Sequence, residues 1–131
     1  MKSPDGRYEV KKSRYTEVRM GSPEFGKLTI EGCSVNLRGR RFGHPVCFSP
    51  DSRYLAIQEL KITPEGAPDT RLLLIDLAAG RQKTIGRLSG GFLTPIAWTD
   101  DVTLEYELLV CSMDGDTRQV LVHEVRSAGS R

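Results

Sequence analysis

Six carboxylates crowd one stretch of this chain: Asp100, Asp101, Glu105, Glu107, Asp114 and Asp116, with no lysine or arginine between Asp100 and Asp116. Residues of this type at this density have two uses. They keep a strand edge soluble, or they offer a docking face to a basic partner. Glu105 and Glu107 are two apart in an alternating segment, so both side chains leave one side of a strand. Leu104, Tyr106, Leu108 and Val110 leave the other side. Asp100 and Asp101 precede that strand, and Asp114 and Asp116 follow it. The spacing therefore predicts one solvent-facing negative patch centred on Glu105 and Glu107, and these six acids are the expected partner-binding residues.

The remaining reactive residues do not assemble into a catalytic set. Asp51 lies beside Ser49 and Ser52, but Ser-Pro-Asp-Ser is turn chemistry, and Asp51 reads as a turn cap. His44 stands between Gly43 and Pro45 with no second histidine near it, and His123 falls inside a strand as a cross-strand neighbour. There is no Gly-x-Ser-x-Gly elbow, phosphate loop or paired zinc motif. Ser89-Gly90-Gly91 reads as a linker. Cys33, Cys47 and Cys111 are too far apart for a zinc knuckle and suit a reducing cytoplasm. Trp98 reads as core filling rather than as a stacking platform. No catalytic residue, cofactor or metal is expected, and the chain reads as non-enzymatic.

The elements that must carry these residues are strands. Val46 to Phe48, turn, then Tyr54 to Lys61 is the clearest pair. Around it, Tyr8–Val10 with Tyr15–Met20, Lys27–Glu31, Cys33–Leu37, Arg71–Leu77, Gln82–Leu88, Ile96–Trp98, Thr103–Cys111 and Gln119–Val125 alternate or run apolar between Gly, Pro, Asn and Asp punctuation. Asp114-Gly115 is a hairpin signal. No helical stripe of useful length appears. The expected fold class is all-β, with about ten antiparallel strands. The expected core holds Val46, Phe48, Leu55, Ile57, Leu72, Leu74, Ile96, Trp98, Leu104, Tyr106, Leu108, Val120 and Val122.

At 131 residues the chain is expected to be one domain. It has no apolar run near the 20 or so residues of a membrane span, so no membrane partner is expected. Met1-Lys2-Ser3-Pro4-Asp5 lacks the apolar region of a signal peptide, which points to the cytoplasm. The net charge of +2 hides an asymmetry: residues 1–45 hold ten Lys/Arg against five Asp/Glu, and residues 46–131 hold nine against twelve, so +5 and −3 give the total.

Ser3-Pro4-Asp5-Gly6-Arg7-Tyr8 repeats as Ser49-Pro50-Asp51-Ser52-Arg53-Tyr54, with five of six positions identical at an offset of 46. Ile96-Ala97-Trp98-Thr99-Asp100-Asp101 is a weaker third copy. The phrase resembles the signature of WD-like β-propeller repeats of the TolB type. The resemblance divides residues 1–126 into blade-like repeats at about 1–43, 44–90 and 91–126, with a frayed tail at 127–131. It implies sheets of propeller-blade type, open or rolled into a sandwich or half-barrel. A closed propeller needs at least four blades of about 40 residues, and this array is about two and a half. Sheet edges are then left to be covered by a partner or by self-association.

The functional expectation is a protein-binding module, with an immunity-type inhibitor of a bacterial toxin as its specific form. A nuclease grips phosphate with Lys and Arg, and clustered acids can block that face. The alternatives are an accessory propeller-like scaffold and a nucleic-acid-associated protein contacting phosphate through Lys11, Lys12, Arg14, Arg38, Arg40 and Arg41. The last is disfavoured by the nearly balanced charge.

Overall fold

Alternating segments broken by turn residues build ten strands in this computed structural model, which describes residues 1–17, 24–62 and 68–125. They are β1 (Glu9–Glu17), β2 (Glu24–Glu31), β3 (Arg41–Phe42), β4 (Cys47–Phe48), β5 (Tyr54–Ile62), β6 (Pro68–Asp76), β7 (Arg81–Ser89), β8 (Gly91–Trp98), β9 (Thr103–Val110) and β10 (Thr117–Glu124). No helix occurs among the described residues, so none is long and apolar enough to cross a membrane. All pairings are antiparallel. One sheet runs β1-β2-β3-β5-β6-β7, with β4 also paired to β5; the other runs β10-β9-β8.

The two Ser-Pro-Asp phrases fold into the same turn. Ser3 Oγ and Ser49 Oγ donate to Asp5 and Asp51 at 2.8 and 2.7 Å and accept the N–H of Tyr8 and Tyr54 at 3.0 and 2.9 Å. Each aspartate also takes the N–H of the following arginine, at 2.9 and 3.1 Å. Gly6 and Ser52 occupy equivalent positions with φ of 74° and 62°. The repeats do not map one to one onto sheets, however. Strands β4 to β7 make an antiparallel meander within 44–90, but β3 joins that meander to β1 and β2 in a single sheet.

Strands β5 and β6 are buried on both faces, as their near-continuous apolar sequence requires. Leu55, Ile57, Leu73 and Ile75 pack with Tyr8, Val10, Leu28, Ile30, Leu37 and Phe42. On the opposite face Ala56 and Leu72 meet Leu93 and Leu104 of the three-stranded sheet. Two buried polar residues tie the sheets together. Gln58 Nε2 donates to the Leu93 carbonyl at 2.6 Å, and Thr70 Oγ1 donates to the Gly91 carbonyl at 2.9 Å while accepting Leu93 N–H at 3.2 Å. Gly91 must be glycine, because a Cβ there would collide with the Leu109 carbonyl oxygen. Chain direction changes between the sheets at Gly90, with φ of 76°, so the expected linker is one tight turn.

Several expectations need correction. Cys33–Leu37 alternates in burial as a strand would, and Cys33, Val35 and Leu37 do pack on the core, but the segment joins no ladder. The expected loop at Gly39–His44 contains β3, and its Arg40 turns inward. Arg40 Nε and Nη2 donate to Glu59 at 2.7 and 2.8 Å, and the Glu59 side chain is only 2% exposed. Ile96, Val120 and Val122 are not core: they are 45%, 57% and 62% exposed. A bulge in β8 explains Ile96. Pro95 pairs with Tyr106 and Ala97 with Glu105, so Ile96 is the extra residue and is turned outward. Register explains the valines, as described below. Trp98 is half-buried, donates its indole N–H to the Cys47 carbonyl at 3.0 Å and stacks on Tyr54 with centroids 5.9 Å apart. It serves the core. The expected strand residues Val18–Met20 lie outside the described residues.

Candidate docking face on the three-stranded sheet

The β9–β10 hairpin sets the site. Its loop spans residues 111–116, where Gly115 N–H donates to Ser112 O at 3.2 Å and Ser112 Oγ donates to Gly115 O at 2.7 Å. The register pairs Val120 with Glu107 and Val122 with Glu105, while Leu121 and His123 face Tyr106 and Leu104. Cross-strand partners share a face. Tyr106 and Leu104 pack toward β5 and β6, so Glu105, Glu107, Val120 and Val122 occupy the outer side together. From β8, Thr94 pairs with Glu107 and Ala97 with Glu105, and the bulged Ile96 joins them. The outer face is therefore a field of exposed Ile96, Ala97, Val120 and Val122 with two glutamates running through it.

The other four acids stand at the two ends of β9. Asp100 and Asp101 are exposed in the β8–β9 turn. Val102 N–H donates to Asp100 Oδ1 at 2.9 Å, and this bond holds the Asp100 carboxyl below its usual range. Asp114 and Asp116 are exposed in the β9–β10 loop beside a fully exposed Met113. The two central glutamates are half-buried rather than fully solvent-facing. Glu107 also receives Arg118 Nη1 at 2.9 Å, which offsets part of its charge. Sequence reasoning named the six acids but missed the apolar residues between them.

Ser49, Asp51 and Ser52 are spent on turn hydrogen bonds. Lys12, Tyr15 and His44 form a cluster of titratable groups off the docking face. Lys12 Nζ lies 2.6 Å from His44 Nδ1, and Tyr15 donates to the Gly43 carbonyl at 3.2 Å. Burial and the Lys12 charge push the His44 pKa down, and burial pushes the Tyr15 hydroxyl up to about 12. His123 is held below its usual value by burial and by Lys83. No group of three or more His, Cys, Asp or Glu able to hold a metal occurs among the described residues. Of the six bases considered for phosphate contact, Lys11 pairs with Glu31 at 2.7 Å, Lys12 meets His44 and Arg40 meets Glu59, and all but Arg40 are exposed.

Comparison with family models, curated proteins and solved structures returns no match for this chain.

Proposed function

We propose that this chain is a non-enzymatic protein-binding module that docks a basic partner on the outer face of β8-β9-β10. The carrying observation is the register that sets Glu105 and Glu107 beside the exposed Val120 and Val122. An exposed face that sets apolar residues on either side of two glutamates, one of them met by Arg118, has the make-up of a docking surface: the apolar area supplies affinity, and the charges choose the partner. Half-buried glutamates suit this role, because little more water must be stripped from them when a cation arrives.

Its specific form is an immunity-type inhibitor that covers the phosphate-gripping Lys/Arg face of a toxin nuclease. Tagged chain incubated with extract of its native host should retain a basic protein, and stoichiometric chain should inhibit that protein's nuclease activity. Retention of a protein with no basic face would count against the reading.

A further inference from the structure

Strand β2 has one paired edge and one bare one. The Met1 amine donates to Val10 O at 3.2 Å and Val10 N–H donates to Met1 O at 2.7 Å, so Val10 directs its backbone groups away from β2. The hydrogen-bonded pairs of the β1–β2 ladder are therefore Glu9–Glu31, Lys11–Thr29 and Ser13–Lys27. Leu28 and Ile30 alternate with these residues and turn their N–H and C=O to the opposite edge. Gly26 has the same phase and pairs there with Phe42, but β3 is only two residues long and the ladder stops. Among the described residues no backbone partner meets Leu28 or Ile30 on that side.

The chain brings a neighbour to this edge and then holds it off. It reverses at Gly32, with φ of 93°, and residues 33–37 return beside β2 without joining a ladder. Cys33, Val35 and Leu37 pack on the core. Gln82 Nε2 donates to Asn36 O at 3.4 Å, and Ser34 Oγ lies so close to Gly80 that a Cβ there would collide with it. These contacts tie the segment to the β6–β7 hairpin instead of to β2. Between the two walls lies an open groove of about 560 Å³, with apolar Leu28, Ile30, Val35 and Leu37 and basic Lys27 and Arg38 in its lining.

We infer that this groove is a slot for one extended peptide segment of another protein, laid antiparallel to β2 and acidic at its C-terminal end. Leu28 and Ile30 each offer the incoming strand one donor and one acceptor, the main-chain ladder of strand addition. The sheet is antiparallel throughout, and that pairing is the more stable per residue. Peptide residues opposite Leu28 and Ile30 share their inward face and take apolar side chains. The residue opposite Lys27 faces outward with it. The return from Gly32 toward β3 brings Arg38 to the Lys27 end; both cations are exposed, and no carboxylate among the described residues lines the groove. Two cations at one end select a carboxylate there. Glu31, at the other end, is already met by Lys11 at 2.7 Å. The slot belongs to the larger sheet, so its failure would leave the docking reading of β8-β9-β10 standing, and the reverse holds.

The test uses the full chain and a labelled synthetic probe, acetyl-Thr-Val-Thr-Val-Glu-amide, whose residues run opposite Glu31 to Lys27. By fluorescence anisotropy it should bind with a Kd of about 100 µM or tighter. Replacing its glutamate with lysine should weaken binding about tenfold, and Lys27→Glu with Arg38→Glu in the chain should reverse that preference. Hydrogen exchange then locates the probe. In the free chain the Leu28 and Ile30 amides should exchange faster than those of Lys27 and Thr29, and saturating probe should slow both about tenfold or more. A second copy in the slot would instead protect Leu28 and Ile30 in the free chain and release them on dilution, which would overturn the assigned occupant. No binding, equal binding of the lysine probe, or unprotected Leu28 and Ile30 at saturation would overturn the inference.

Discussion

The Ser52 hydroxyl accepts the backbone N–H of Asp5 at 3.0 Å, so the two copies of the Ser-Pro-Asp turn clasp each other. Ser52 stands where the first copy has Gly6, and it keeps the left-handed backbone, with φ of 62°. Its side chain is what the second copy adds. Ser52→Ala removes the acceptor and leaves the strained backbone, and should cost about 1–2 kcal/mol. Ser52→Gly loses the same bond but relaxes the positive φ, recovering roughly 0.5–1 kcal/mol. Urea midpoints at constant slope read both. An alanine variant as stable as wild type would contradict the clasp, and a larger loss for glycine than for alanine would contradict the backbone strain.

Glu59 is buried against Arg40, which also lies over the Phe42 ring at 5.6 Å. Removing the cation leaves a buried carboxylate unpaired. Arg40→Ala should therefore destabilise by about 3–5 kcal/mol, while Arg40→Met with Glu59→Leu should recover much of that loss. The comparison is made by denaturant unfolding of the single and double variants.

The Asp69 carboxylate accepts Arg87 Nη2 at 2.8 Å, and this bond, opposed by burial, holds its pKa below the ordinary value. A carboxyl with a lower pKa in the folded state stabilises the fold above its unfolded pKa, about 3.9. That contribution is lost as pH falls through the folded value. Thermal melts from pH 6 downward should fall steeply below about pH 4 for the wild type and less steeply for Asp69→Asn. An unchanged slope in the variant would remove this pair from the acid response.

Much of the fold was legible because alternation and turn residues agree. Most of the strands, the β1 bend and the burial of Arg71–Leu77 follow from periodicity and punctuation, whereas β3 fell in an expected loop and Cys33–Leu37 joins no ladder; the bend appears as a register shift between Ser13 and Thr16. The outer face was legible too, through an argument the core list ignored. A hairpin centred on Asp114-Gly115 pairs odd-numbered residues with even-numbered ones, and the observed longer loop keeps that parity. Val120 and Val122 must then accompany Glu105 and Glu107, not Leu104 and Tyr106. Ile96 was not legible, since a bulge depends on the partner strand's register. Nor was the Arg40–Glu59 pair, which needs β3 laid against β5 across 19 positions.

Val120 and Val122 carry no core packing on this account. Val120→Thr with Val122→Thr should leave stability within about 0.5 kcal/mol of wild type. Trp98→Ala, by contrast, removes the stack on Tyr54 and the bond to Cys47, and should cost about 3 kcal/mol. Equal losses for the two variants would contradict the assignment of inner and outer faces.

The central claim is that the outer face of the three-stranded sheet docks a basic protein. The direct measurement is the affinity of the partner retained from native-host extract for wild type and for Glu105→Lys with Glu107→Lys, each verified as folded by circular dichroism. Removing one partner of a buried charged pair costs about 2–5 kcal/mol, so the variant should bind at least tenfold more weakly, and wild-type binding should weaken as salt rises. Unchanged affinity in the folded double variant would contradict the claim.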